Sequence, residues 1–217
     1  MDQKYSISGF VSTDYRKTLA LDANAYYEHW MNFNRDQYTL ALNPRLRVGD
    51  HFFSILTLEL SQTNNDYGYA KRDETKVIYG RRDRQSVTTA IDARYVFDNT
   101  KTISLVGRHF WTGLFYKQMY ELQLDGSLSD TKARLQQDLN FNTLTVDMRF
   151  SWWYAPGSEL VLLYRYVVAA SGDAYQRGYW DNLNNAINAP IQHNLSLRLT
   201  YFLDYNRVKD IFLKPLL

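Results

Sequence analysis

The stretch LSLRLTYFLDY, residues 195–205, decides the fold because apolar and polar residues alternate along it. Leucine or tyrosine occupies every odd position, and Ser196, Arg198, Thr200 and Asp204 occupy four of the five positions between them. A period of two indicates a β-strand with two unlike faces. We therefore predict a strand near the end of the chain with one apolar and one polar face.

The same alternation recurs along the rest of the chain. It is clear in VTTAIDARYVF, residues 87–97, in LTVDMRFSW, residues 144–152, and from Tyr38 to Val48. Runs of this length and pattern are typical of half-buried strands. We predict nine strands, at residues 3–14, 18–31, 36–48, 51–62, 76–97, 102–124, 137–154, 159–170 and 191–205.

The connections between these strands are of two kinds, which alternate along the chain. Short turns lie near residues 16, 49, 99 and 156, and longer polar loops lie near 62–75, 125–136 and 171–190. Short turns on one rim and long loops on the other are typical of outer-membrane barrels. The predicted fold is therefore all-β: an antiparallel up-and-down transmembrane β-barrel domain over residues 1–206, with eight to ten strands visible and a C-terminal tail at 207–217. An odd count of nine leaves two alternatives, an eight-stranded barrel or the C-terminal section of a larger one.

Aromatic residues make up 16% of the chain, more than a packed core needs. Tyrosine and tryptophan gather at membrane–water interfaces because they have an apolar body and a polar tip. One group falls at the predicted short-turn rim and another about ten residues away, a membrane-spanning length. The predicted aromatic belts contain Trp30, Trp111, Trp152, Trp153, Tyr201 and Tyr205.

Composition excludes several classes of function. There is no cysteine, the net charge is +2, and no apolar run is long enough for a transmembrane helix. The four histidines do not stand at metal-ligand spacing, and phosphate-binding and nucleophile-elbow motifs are absent from the sequence. We therefore predict no catalytic residues, no metal, no cofactor and no nucleic-acid partner. The first residues carry no secretory signal, which an outer-membrane protein needs, so the chain is a mature form or a fragment, or the membrane interpretation is wrong.

If the leucine-rich faces meet lipid, the opposite faces line the lumen. The predicted lumen-lining charged residues are Asp22, Glu28, Arg45, Arg47, Glu59, Asp92, Arg94, Arg108, Asp147, Arg149, Arg165 and Arg198. In the structural interpretation, arginines and carboxylates on neighbouring strands pair and brace a filled lumen. In the functional interpretation, the excess of arginine lines a water-filled path and favours anions.

A second basic cluster, Arg81, Arg82 and Arg84, falls just beyond the predicted outer belt. Lipopolysaccharide phosphates lie at that height, and arginine pairs well with phosphate. We weigh a lipopolysaccharide contact against a solvated extension of the strand.

Three stretches resemble the C-terminal domain of a Bacteroidetes family known as a domain of unknown function, DUF5916. They are YGRRDRQSVTTAIDARYVFDNTKTISLVGRHFW, residues 79–111; SWWYAPGSELVLLYRY, residues 151–166; and HNLSLRLTYFLDYN, residues 193–206. The resemblance implies an outer-membrane barrel at the end of a longer protein. Such proteins often carry an N-terminal domain similar to carbohydrate-binding module family 9, and no residue of this chain inherits sugar binding from it.

The expected function is that of an outer-membrane barrel in a Gram-negative bacterium. It would act as an anchor, scaffold or passage for a larger cell-surface protein linked to carbohydrate handling. The expected partners are membrane lipid, lipopolysaccharide and an N-terminal carbohydrate-binding domain of the same parent chain. Three different functions compete with this one: a small-solute or anion channel, an outer-membrane lipid hydrolase and a soluble carbohydrate-binding β-sandwich.

Overall fold

The computed structural model describes residues 3–73, 76–131 and 137–203, and these residues form one antiparallel sheet with a single α-helix. Numbered in chain order, the strands lie side by side in the order β1-β2-β3-β4-β5-β6-β8-β9-β10, and β7 pairs with β6. Apart from β7, the order in space is therefore the order in the sequence. The all-β antiparallel fold is thus confirmed. The elements are β1 Lys4–Ser12, β2 Leu19–Trp30, a 3-10 turn Met31–Phe33, β3 Arg35–Val48, β4 Phe52–Asp73, β5 Lys76–Asp98, β6 Lys101–Leu122, β7 Leu128–Thr131, β8 Leu139–Ala155, β9 Ser158–Gly172, α1 Tyr179–Asn188 and β10 Ile191–Thr200.

The sheet is open and does not close into a barrel, which differs from the first of the two predicted alternatives, an eight-stranded barrel formed by this chain alone. Within the described ranges, β1 pairs only with β2 and β10 pairs only with β9. Alternation of residue types fixes which side of a strand is apolar. It carries no information about which strands meet at the two edges, so it could not decide closure.

All three predicted long loops contain regular structure within the described residues. β4 continues to Asp73 and pairs with β5 as far as Lys76, through two β-bulges. The segment near 125–136 holds β7, and residues 132–136 lie outside the described part. The segment near 171–190 holds α1, whose asparagine-rich sequence resembles a loop because asparagine favours turns.

The short turns carry residues suited to their backbone. Gly49 and Gly157 have φ of +56° and +70°, a conformation that glycine adopts without steric cost. Asp98 closes the turn between β5 and β6, accepting hydrogen bonds from the backbone N–H and the hydroxyl of Thr100 at 2.7 and 2.6 Å. These hydrogen bonds lower the pKa of Asp98 to about 2. Such turns fix the register of the hairpins and therefore the composition of each face of the sheet.

The buried core is small, and part of it lies where α1 packs on the sheet. Trp111, Val168 and Ala186 are buried there. The described part of the chain contains no helix long and apolar enough to span a bilayer. The surface area of 15,330 Å² far exceeds the value of about 10,000 Å² that a compact monomer of this length exposes. The sheet is therefore a single layer that leaves most of both faces uncovered.

Candidate functional site

One face of the sheet carries the charges. Cross-strand partners share a face, and the register runs from Arg45 through Ile55, Asp92, Val106 and Asp147 to Arg165. Extending this register to the other strands brings together every residue predicted to line the lumen. We call this side the charged face; it contains Asp22, Glu28, Arg45, Arg47, Glu59, Asp92, Arg94, Arg108, Asp147, Arg149, Arg165 and Arg198.

The opposite side is apolar over the same length of strand. One line across the sheet is apolar except at Thr89 and His109; it runs through Leu42, Leu58, Thr89, His109, Leu144, Val168 and Ile191. Several members are well exposed, including Leu195 and Leu197 at 70% and 67%. We call this side the leucine face; its other members include Leu40, Leu60, Ile91, Leu105, Val146, Leu162, Leu195, Leu197 and Leu199.

Part of the charged face is neutralised by pairs between neighbouring strands. Arg45 contacts Asp22 at 3.0 Å, and Asp22 also accepts hydrogen bonds from the hydroxyls of Ser12 and Tyr15. Arg165 contacts Asp147 at 2.5 Å, and Arg198 contacts Glu159 at 3.0 Å. Pairs of this kind brace adjacent strands, as the structural interpretation of these residues expects.

Three of the arginines predicted to line the lumen lack such partners. Arg47, Arg94 and Arg108 have no ion pair within the described residues. Phe53 on β4 lies between Arg47 on β3 and Arg94 on β5, each directly opposite to it. They line an open pocket of about 410 Å³ at the short-turn end. Glu59 and Asp92 of the same face also have no ion pair within the described residues, so the unpaired charges of the set leave a small positive excess.

A denser network lies at the long-loop end of the same face. Asp66, which is buried, accepts from Arg35 at 3.1 Å and from Arg82 at 3.1 Å. Arg82 also donates to the Tyr116 hydroxyl at 2.7 Å, and Arg35 stacks over Trp30 with 4.2 Å between the guanidinium carbon and the ring centre. The network ties β2 and β3 to β4, β5 and β6.

We expect Asp66→Ala to destabilise the protein by about 1–3 kcal/mol, because it leaves two partly buried guanidinium groups without their acceptor. Urea unfolding monitored by tryptophan fluorescence measures this loss. Asp147→Ala is the matched control, since its pair with Arg165 is exposed and such pairs contribute less than about 1 kcal/mol. Equal losses at the two positions would show that the Asp66 network does not stabilise the sheet.

The basic cluster at 81–84 does not come together as one surface. Arg82 and Arg84 lie on the charged face, whereas Arg81 points to the other side of the strand. The physical reason is the two-residue period of the strand, which separates consecutive side chains. Arg82 is also engaged by Asp66, and the lipopolysaccharide contact of the three arginines stays a prediction.

The aromatic residues separate by face as well as by height. Trp152 lies on the leucine face at the short-turn rim, but Trp153 and Trp30 lie on the charged face. Trp111 lies on the leucine face yet is only 1% exposed, because α1 covers it. These positions do not fit belt roles for Trp30, Trp111 and Trp153. Tyr201 is exposed beyond the end of β10, and Tyr205 lies outside the described residues.

A buried amide cluster, which no sequence pattern indicates, fixes α1 to the sheet. The Asn182 carbonyl accepts from the amides of Asn140 and Asn142 at 2.6 and 3.0 Å, and its own amide donates to two backbone carbonyls. Trp111 donates its ring N–H to Asn140 at 2.6 Å, and His109 contacts Asn142 at 3.3 Å. The hydrogen bonds around Asn182 hold one packing arrangement of the helix, although Nδ1 of the buried His109 has no hydrogen-bond partner among the described residues.

Two tyrosines extend this attachment. The Tyr175 hydroxyl donates to the Gln85 side chain at 2.9 Å, and the Tyr179 hydroxyl donates to Thr89 at 3.0 Å. Burial raises the pKa of Tyr175, so its hydroxyl remains a donor at neutral pH. Together with Asn182, these contacts place α1 over the long-loop end of the leucine face.

Histidine could serve two kinds of site here, a metal site or a Ser–His pair. No group of three or more histidine and carboxylate side chains that could hold a metal occurs among them. His109 lies on the leucine face, whereas Ser86 and Ser104 lie on the charged face. Those two hydroxyls therefore cannot reach the imidazole.

Comparison with curated proteins finds no match. A family model described as a domain of unknown function, DUF5916, matches residues 1–212. The match covers nearly the whole sheet, including the N-terminal strands for which the sequence resemblance is looser. The chain therefore belongs to the DUF5916 family.

Proposed function

We propose that the chain is a membrane-spanning section of an outer-membrane β-barrel in a Gram-negative bacterium, where it anchors a larger cell-surface protein. The single observation that carries this proposal is the separation of the two faces. A sheet with one exposed leucine face and one charged face suits a wall between lipid and a polar lumen. In water, exposed apolar surface of this extent would promote association.

The height of the leucine face supports the proposal. On β10 and just beyond it, exposed side chains of the leucine face extend from Tyr201 at the short-turn rim to Ile191, which is ten residue steps. At about 3.3 Å per residue and a tilt of about 40°, that length spans roughly 25 Å, the height of the apolar band of outer-membrane barrels. Beyond this level, the same face carries polar residues such as Gln85 and Asn140.

The two open edges of the sheet need further strands if the sheet forms part of a barrel wall. β1 and β10 each present an unpaired backbone edge of nine or ten residues in the described sheet. Unpaired backbone groups in lipid cost several kcal/mol each, so open sheets do not span membranes. In the proposal, further strands of the same polypeptide close the barrel, and this chain is its C-terminal section.

The test uses the full-length protein purified from cells. We expect it to fractionate with the outer membrane, to resist extraction by alkaline carbonate and to need detergent for solubility. Unheated samples should migrate differently from heated ones on a gel, as closed barrels do. A protein that stays monodisperse without detergent would contradict the proposal.

A second candidate function, passage of anions, is favoured by the unpaired Arg47, Arg94 and Arg108. We expect the full-length protein to conduct in planar bilayers with a preference for chloride over potassium, and Arg94→Glu to reduce that preference. Arg72→Glu, the same charge change at the far end of β4, serves as the control. If the protein does not conduct, the anion-passage function is contradicted and the anchoring function is unaffected.

A lipid hydrolase and a soluble carbohydrate-binding sandwich have less support. A lipid hydrolase needs a serine near a histidine on the lipid-facing wall, and Ser86 and Ser104 lie on the side opposite to His109. A soluble sandwich needs two packed sheets, and the described residues form one sheet. A link to carbohydrate handling and a contact with lipopolysaccharide remain proposals that rest on the family resemblance and on the expected location.

A further inference from the structure

The helix α1 has three distinct sides, and only two of them have an evident role. Asn182 and Ala186 are fully buried against the sheet. Asp181, Asn184, Asn185 and Asn188 form a polar side. The third side is an apolar stripe of Trp180, Leu183 and Ile187, in which Trp180 and Ile187 are 75% and 48% exposed.

The contacts of α1 fix the direction in which this stripe points. Asn182 contacts Asn142 and Asn140, which lie two and four residues farther from the short-turn rim than the level of His109. Tyr179 reaches Thr89 and stacks edge-on against His109, at the rim-side level. The rim side of the helix is therefore the side of Tyr179.

Helical geometry then places the stripe on that rim side. An α-helix turns by about 100° per residue, which places Tyr179 roughly 60° around the helix axis from Asn182. Leu183, Ile187 and Trp180 lie farther around the axis in the same direction. The increase in exposure from Leu183 to Ile187 to Trp180 agrees with this order. The polar side consequently faces away from the rim.

The stripe is continuous with the leucine face. Ile191, four residues after Ile187, begins β10 on the leucine face and is 44% exposed. Helices with an apolar side and a polar side lie in membrane interfaces, and tryptophan is favoured at that depth. The stripe therefore extends an apolar surface at the height where the proposed lipid belt ends.

We infer that α1 is an interfacial helix whose stripe of Trp180, Leu183 and Ile187 contacts the outer leaflet of the bilayer. This inference rests on the proposed membrane function. The polar side faces the aqueous phase, and the Asn182 cluster holds the helix at a fixed depth. Lipid is the occupant because the stripe continues a surface that itself faces lipid in the proposal.

These 217 residues contain no cysteine, so single cysteines introduced here can be labelled with a fluorophore once any cysteine elsewhere in the full-length protein is replaced by serine. Full-length Ile187→Cys, Asn184→Cys and Leu105→Cys are labelled and reconstituted into phosphatidylcholine vesicles brominated either near the headgroup or deep in the acyl chain. We expect shallow bromine to reduce the fluorescence at position 187 more than at position 184. Deep bromine should reduce the fluorescence at position 105.

The outcomes separate this inference from the proposed function. Equal quenching at 187 and 184, with quenching retained at 105, overturns the interfacial helix and leaves the barrel intact. Loss of quenching at all three positions removes the membrane function and the helix inference together. Stronger quenching by shallow than by deep bromine at 187 supports a position at the interface.

Discussion

Leu58→Arg is expected to destabilise the protein in a bilayer by about 2–4 kcal/mol, the cost of a guanidinium at the lipid-facing midplane of a barrel. Leu58 lies on the leucine face, midway along the apolar part of β4, directly between Leu42 and Thr89 on the neighbouring strands. Urea unfolding of the full-length protein in phospholipid vesicles measures the change in the free energy of unfolding.

The adjacent residue provides the control. Thr57 lies at the same height on the charged face, so Thr57→Arg is expected to change stability by no more than about 0.5 kcal/mol. A contrast between these neighbours depends on the environment of the two faces, because the strand and the introduced residue are the same. Small and equal effects at both positions would contradict lipid contact by the leucine face.

Asn182→Ala is expected to release α1 from the sheet. The change removes two acceptor contacts to Asn140 and Asn142 and two donor contacts to backbone carbonyls. Each buried group left without a partner costs about 1–3 kcal/mol, so the attachment should weaken by about 2–5 kcal/mol in total. Trp111 should become exposed, and trypsin should cleave after Arg177 faster than in the unaltered protein.

Asn184→Ala is the matched control, since Asn184 is exposed and its side chain bonds only within the helix. The circular dichroism of the sheet should be unchanged in both variants, because β-strands supply most of the secondary structure. Unchanged cleavage after Arg177 in Asn182→Ala would mean that the amide cluster does not hold the helix.

Sequence alternation predicted the strands and the two faces because a strand repeats every two residues, whatever its neighbours are. The predicted strand at 102–124 is observed at Lys101–Leu122, and that at 159–170 at Ser158–Gly172. The grouping of the charged residues followed from the same period. Predicting that grouping required one further condition, that strands adjacent in the sequence pair with each other. Short turns such as Gly49-Asp50 favour such pairing.

Other features depend on contacts between distant residues, which a local pattern cannot reveal. The extension of β4 to Asp73 depends on pairing with β5 and on the bond between Asp66 and Arg82. α1 forms from a segment rich in asparagine because Asn182 finds partners on β8, about 40 residues away in the chain. Trp111 is buried because that helix covers it, so a local sequence pattern could not predict its burial either.

The most direct test of lipid contact by the leucine face is the accessibility of nitroxide labels at consecutive single cysteines over residues 102–108 of β6. We predict that collisions with oxygen, which concentrates in lipid, peak at 103, 105 and 107. Collisions with a water-soluble nickel reagent should peak at 102, 104, 106 and 108 if the lumen holds water, and should be low throughout if it is filled. Oxygen accessibility without a two-residue period, or with its peaks on the charged face, would contradict the assignment of the leucine face to lipid.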